Sequence, residues 1–212
     1  MHFKFQQLCP HVFQDQEIES EVWNKNFEIS TNERVLVHAI SGKGKTSFMY
    51  YLLGLRDDYT GEIYINNKAL HSLSVEEWTE IRANKISCVF QDLQLFDKLS
   101  VKENFEILPS FASSYKLEDA KEMLDKLDIA EKWDSRVGTL SFGQKQRVAL
   151  IRSLMKPFDV LVCDEPFSHL DSQNTQKCIG LMEKRLEEEQ AGLILSALDS
   201  KQEFSGLKTI HL

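Results

Sequence analysis

The sequence predicts an α/β fold with a mainly parallel core sheet and a helical insert. Three observations predict it. Short, nearly continuous apolar runs recur along the chain, as strands buried on both faces require. Helix-like segments separate those runs, and that alternation favours a layered α/β architecture. One run breaks into a small-residue loop and then a helix, an order that turns backbone N–H groups and a helix N-terminus towards an anion.

The strand-like runs are 34–39, 62–65, 86–90, 160–163, 193–196 and 207–212. Three helix starts carry Ser followed three residues later by Glu or Gln: Ser74 with Glu77, Ser100 with Glu103, and Ser141 with Gln144. Each pair can close a capping box. Leu117, Ala120, Leu124 and Leu127 mark one face of a further helix. The stretch 175–189 is helical and rich in charge, which places it on the surface. Between 93 and 156 nearly every signal is helical, so this stretch reads as an insert between two sheet strands. Residues 1–92 and 157–212 are then the core, and 1–212 a single domain with lobes.

Composition narrows the function classes. A hydrophobic fraction of 42% over 212 residues supports a core and excludes disorder. The 25 basic and 33 acidic residues give a formal charge of -8, which argues against nucleic acid as the main partner. Cys9, Cys88, Cys163 and Cys178 lack zinc-like spacing, and Cys88 and Cys163 sit in apolar runs as small buried hydrophobes. The first residues lack the basic start and unbroken apolar stretch of a secretory signal. No apolar run reaches the roughly 20 residues a bilayer span needs. The expectation is a cytoplasmic chain with reduced thiols.

Three segments carry candidate chemistry. The loop Ala39, Ile40, Ser41, Gly42, Lys43, Gly44, Lys45, Thr46, followed by Ser47, nearly fits the phosphate-loop pattern G-x-x-x-x-G-K-[ST], with Ala39 at the first glycine. Lys45 would reach the β- and γ-phosphates, and Thr46 would offer its hydroxyl to Mg²⁺. A plain strand–turn–helix connection with a solvated lysine is the competing reading. The second segment, "DVLVCDEPFSHLD", ends an apolar run in Asp164 and Glu165. A carboxylate at the tip of a buried strand is costly unless it meets a cation. Asp164 suits Mg²⁺, and Glu165 is placed to polarise a water against a γ-phosphate. The third, "LSFGQKQRVALIRSL", puts Ser141 and Gly143 at a helix N-terminus, where capping and anion binding are compatible.

Taken in order, these motifs resemble those of the ATP-binding cassette (ABC) ATPases. "SGKGKT" looks like the Walker A loop, "LSFGQKQR" like the signature motif, "VLVCDEP" like Walker B and "SHLD" like the D-loop. "VFQDLQLFDKLSVKEN" resembles the Q-loop region, with Gln91 at the key position. The resemblance runs from about Val22 to the last strand. It implies a P-loop NTPase of ABC type with a small N-terminal antiparallel β subdomain. It also implies ATP and Mg²⁺ as cofactors, with Glu165 and Gln91 catalytic and Thr46, Gln91 and Asp164 around the metal. Ser141, Gly143, Gln144 and Asp171 would act on nucleotide held by a second ABC subunit, more simply a copy of the same chain. A transmembrane permease subunit would dock near the helical lobe, keeping the chain peripheral on the inner face of the cytoplasmic membrane. The surface near Phe96, Leu99 and Leu108 is where that subunit would meet it; internal packing is the alternative. In layout, "GEIYINNKALHSLSVEEWTEIRANKISCVFQ" is similar to the lipoprotein-releasing, macrolide-export and cell-division types.

The sequence also departs from the family. Phe142, like Ala39, replaces a family glycine. Where the family places a histidine before an acid, this chain has Leu198 before Asp199, and neither His169 nor His211 fills the position. Leucine cannot hydrogen-bond a γ-phosphate, so the expectation is slow hydrolysis, or a clamp with little turnover. For the adenine-stacking aromatic, Phe13 stands ahead of Phe5, with plain strand packing an open alternative for both. Trp23 and Trp78 read as a core anchor and a helix-face contact.

Overall fold

Neighbouring side chains along a strand point to opposite faces, and here both faces are covered. In β3 (Arg34–His38), Val35 and Val37 enter one buried cluster while Leu36 enters another. In β7 (Val160–Asp164), Val160 and Val162 face the first cluster, and Leu161 and Cys163 the second. β8 (Gly192–Ala197) repeats the division with Ile194 against Leu193 and Leu195. Two-sided burial is the reason these runs read as continuously apolar. The structure, a computed structural model, describes residues 1–30, 32–40, 42–108, 115–197 and 204–212.

With β6 (Ile86–Val89) and β9 (Leu207–His211), these strands form a parallel sheet in the order β6-β7-β8-β3-β9. A second, antiparallel sheet comprises β1 (His2–Pro10), β2 (Asn26–Ser30), β4 (Tyr59–Ile65) and β5 (Lys68–Ala69), in the order β2-β1-β4-β5. The helix α1 (Lys45–Leu52) follows β3 and shares a buried cluster with the second sheet. Phe5 stacks on Phe27 at 4.2 Å between ring centroids and meets Phe48 of α1 at 5.5 Å. α2 (Val75–Asn84) precedes β6. Between β6 and β7 come α3 (Val101–Glu106), α4 (Leu117–Lys126) and α5 (Phe142–Leu154), and α6 (Ser172–Glu188) links β7 to β8.

All three expected capping boxes close, at Ser74/Glu77, Ser100/Glu103 and Ser141/Gln144. Ala120, Leu124 and Leu127 are buried on the expected face of α4. α6 is a correction: it is no purely surface helix, since Cys178, Ile179, Leu181, Met182 and Leu186 bury one stripe and the Arg185 guanidinium is buried with them. Charged residues on its outer face masked that stripe. Cys163 is buried as expected, whereas Cys88 is half-buried. Burial lifts the Cys88 thiol to about 11 against nearby Lys156, Arg152 and Arg82. The expected exposed face near Phe96 is narrower than the sequence suggested. Phe96 is 55% exposed, but Leu99 is half-buried and Leu108 packs on the core. Among the described residues, no helix is long and apolar enough to cross a membrane.

Leu124 is fully buried among the helices that precede β7. Leu124→Ala is expected to lower the unfolding free energy by about 2–5 kcal/mol, read by urea denaturation. The exposed neighbour change Glu122→Ala should stay within about 0.5 kcal/mol.

Candidate functional site

The loop after β3 winds around its own lysine. Gly42 and Gly44 take φ of 82° and 92°, a left-handed region that side chains resist. At Gly44 a Cβ would also meet the Trp23 ring at 3.0 Å and the Phe13 ring at 3.2 Å. Trp23 is the buried anchor expected of it, and its indole N–H donates to the Lys43 carbonyl at 3.3 Å. Lys45 is only 6% exposed. Its ammonium donates to the carbonyls of Ala39 at 2.9 Å and Ile40 at 3.5 Å, and lies 3.4 Å from Glu165 Oε1. The loop therefore has a folded form around a cation. Arg56 donates to the Ser47 hydroxyl at 3.0 Å.

β7 delivers the two acids. Asp164 is 2% exposed. Its Oδ1 accepts from the Ser196 hydroxyl at 2.5 Å, while its buried Oδ2 has no hydrogen-bond partner among the described residues. A buried carboxylate oxygen without a donor costs free energy unless a cation satisfies it. Glu165 sits at φ 49°, a strained conformation for a residue with a Cβ. Its N–H donates to the Ser196 hydroxyl at 3.0 Å and the Ser196 carbonyl at 3.2 Å, which holds the turn. The neighbouring strand thus positions both acids through one serine.

Lys45 and Glu165 share an open cleft of ≈ 530 Å³ with Phe13, Gly44, Thr46 and Gln91; Asp164, Ala39, Ile40 and Lys43 are not among its lining residues. Ser47 and Gly42 line it too. Phe5 is fully buried against Phe27 and cannot reach the cleft; Phe13 does. Val12 and Gln16 also line it and were not foreseen, because nothing in their own spacing marks them. Ser141, Gly143, Gln144 and Asp171 are not among the lining residues. Ser141 caps α5, accepting from the Gln144 N–H at 3.3 Å while its own N–H donates to Gln144 Oε1 at 3.0 Å. At Gly143 a Cβ would sit 2.8 Å from the His169 carbonyl, so this position admits only glycine without a shift. Phe142, 44% exposed, meets the His169 ring edge-on at 4.4 Å. Asp171 caps α6, and the Asn174 backbone N–H holds its carboxyl below the usual range. Ser41, Leu198 and Asp199 lie outside the described residues.

Two functional supports were missed in the sequence. One is Ser196, inside an apolar strand. The other is Gln146, two residues past the capping Gln144 and 2% exposed. Its Nε2 donates to the Ser168 hydroxyl at 3.1 Å and the Glu165 carbonyl at 3.4 Å, and its Oε1 accepts from the His169 N–H at 3.1 Å. One buried amide therefore joins α5 to the turn carrying Glu165.

The donors fit Mg²⁺. Among the described residues no three His, Cys, Asp or Glu converge, but Mg²⁺ commonly takes one or two carboxylates and completes its shell with water and substrate phosphates. The unpaired Asp164 Oδ2, the Thr46 hydroxyl and the Gln91 amide oxygen are hard oxygen donors of that kind.

Fold and cleft together define an ABC ATPase cassette of the P-loop NTPase class. The chain belongs to the ABC transporter family: the family profile described as "ABC transporter" matches residues 22–168. It is 29% identical over 191 residues to the macrolide export ATP-binding/permease protein MacB of Aggregatibacter actinomycetemcomitans, a match covering 88% of this chain and 29% of that protein's length. It is 30% identical over 168 residues to the putative hemin import ATP-binding protein HrtA of Staphylococcus epidermidis, covering 78% of this chain and 75% of that one. Among solved structures it resembles the dimeric bacterial ABC transporter cassette MJ0796, with TM-score 0.81 and 27% identity over 99% of this chain and 94% of that chain. A post-hydrolysis dimer of MJ0796 bound to ADP and Pi matches with TM-score 0.78 and 28% identity, covering 93% and 88%.

Gln146→Leu leaves the Ser168 hydroxyl and the His169 N–H without this partner. The expected cost is about 1–3 kcal/mol of unfolding free energy in urea. Gln146→Glu keeps the acceptor but sets a buried carboxylate oxygen against the Glu165 carbonyl, so it should cost at least as much.

Proposed function

We propose that this ABC ATPase cassette binds ATP with Mg²⁺ in the cleft above Lys45, hydrolyses it, and closes on a second ABC subunit to drive a transmembrane permease. The observation that carries the reading is the meeting of the buried Lys45 ammonium with Glu165, next to the unpaired Asp164 Oδ2. Lys45 would exchange part of its carbonyl and carboxylate environment for phosphate oxygens. That releases Glu165 Oε1 to accept a hydrogen bond from the attacking water and take its proton. Thr46, Asp164 and Gln91 would hold Mg²⁺, which when bound neutralises charge on the phosphates. Phe13 would lie against the adenine, and the backbone N–H groups of the loop and of the α1 N-terminus would face the phosphates.

The Ser141 end of α5 with Gly143 and Gln144, and Asp171, are assigned to nucleotide on the partner subunit, since they stand apart from the chain's own cleft. A homodimer is the simplest assembly, and MJ0796 supports it as a dimeric cassette. The permease partner is supported by the fused ATP-binding/permease relative. The cassette would then sit in the cytoplasm, peripheral to the membrane, with no nucleic-acid partner. We assign the helical lobe to about 93–156 and the core to 1–92 and 157–212.

Leu198 at the family's histidine position favours a second reading, an ATP-dependent clamp with little turnover. Steady-state phosphate release, with and without the membrane partner, separates the two. The enzyme reading expects turnover that Glu165→Gln lowers by about a hundred- to ten-thousand-fold. It also expects Leu198→His to raise turnover by up to about a thousand-fold. No turnover in any of these, with ATP-induced dimers throughout, favours the clamp. Phe13→Ala should weaken nucleotide binding by about 1–3 kcal/mol, read by titration calorimetry.

A further inference from the structure

The last residues of β3 and β9 are both histidine. Parallel register places His38 opposite His211. The two Nδ1 atoms face each other at 3.4 Å, with ring planes at 78° and centroids 5.3 Å apart. His2 and His71 each lie within 3.2 Å of a carboxylate, Glu28 and Glu62 respectively. No carboxylate pairs with the ring of His38 or His211 among the described residues. The 3.4 Å separation lets one ring donate a long hydrogen bond to the other, past the ~2.7–3.2 Å of a well-made one. It matches two nitrogen donors on one tetrahedral ion, since Zn–N bonds of about 2.0–2.1 Å at the tetrahedral angle set the donors about 3.4 Å apart.

We infer that His38 and His211 chelate a divalent transition metal, Zn²⁺ in the first instance, clipping the edge strand β9 to the strand that feeds the phosphate loop. Imidazole nitrogen suits Zn²⁺ and disfavours Mg²⁺, so this site is chemically separate from the oxygen donors around Asp164. No third His, Cys, Asp or Glu joins the pair among the described residues. Water or an exchangeable small ligand fills the remaining positions, which makes the binding reversible rather than structural.

The position couples the ion to the loop from two sides. His38 is followed by Ala39, whose carbonyl holds Lys45. The His211 N–H donates to Glu21 Oε2 at 2.8 Å, and its carbonyl accepts from the Glu21 N–H at 2.9 Å and the Ser20 hydroxyl at 3.3 Å. That Ser20 oxygen accepts from the Trp23 N–H at 2.9 Å, and Trp23 braces the loop at Lys43. An ion on the pair would stiffen both supports of the loop.

The test uses the full chain without an affinity tag, stripped with a chelator and free of nucleotide, so its outcome is independent of ATP binding. Co²⁺ is the probe, because tetrahedral cobalt absorbs visibly, with Zn²⁺ as competitor. The expected result is one saturable equivalent with visible absorption, displaced by Zn²⁺. His38→Ala and His211→Ala should each lower the affinity by about tenfold or more, while His71→Ala leaves it intact. Zn²⁺ should also raise the melting temperature of the parent, as a ligand of the native state does, and should not raise that of folded His211→Ala. His211 lies on an exposed edge strand, so this variant keeps the test readable if His38→Ala fails to fold. Absence of a saturable cobalt site in the parent, or a site that survives His211→Ala, overturns the inference.

Discussion

The Lys45 ammonium is held under the loop that carries it, 6% exposed, against two carbonyls and one carboxylate. Taking a cation out of water is costly unless oxygen atoms surround it. The loop therefore curls so that Ala39 and Ile40 turn their carbonyls towards the ammonium. Most of the surrounding architecture can be read as support for that arrangement.

The support comes from several elements. The left-handed Gly44 lets the chain enter α1 while Trp23 and Phe13 pack within 3.2 Å of where a Cβ would stand. From the strand beside β7, Ser196 fixes both Asp164 and the strained Glu165. Gln146 extends the connection from α5 to the turn after Glu165. A displacement of α5 would thus be felt at the turn carrying Glu165 through the Gln146 amide, not through a change of fold.

Much of this was legible in the sequence, for definite physical reasons. β3, β7 and β8 are buried on both faces, so their apolar runs are unbroken. The capping boxes pair side chains only three residues apart, and local chemistry suffices to find them. Lys45 of the loop and Glu165 of the acidic pair line the cleft, and the order of loop, signature and acidic pair points to the family. β1 and β2 were not visible as runs, because Lys4, Gln6 and Glu28 interrupt them on the outer face. In the sequence of α6 the charged face outweighs the buried stripe, although Arg185 is itself buried with that stripe. Ser196 and Gln146 act across 31 and 19 residues of sequence on Glu165. No local pattern reports such contacts. Phe13 and Phe5 were separated only by their neighbours, since Phe27 and Phe48 enclose Phe5.

Calorimetric titration with Mg²⁺ and ATP of the parent chain beside Lys45→Ala tests the central claim most directly. The account predicts one saturable, magnesium-dependent site in the parent. It predicts affinity at least tenfold weaker in Lys45→Ala, with the fold retained by circular dichroism. Equal affinity in both proteins, or no magnesium-dependent binding in the parent, would contradict it.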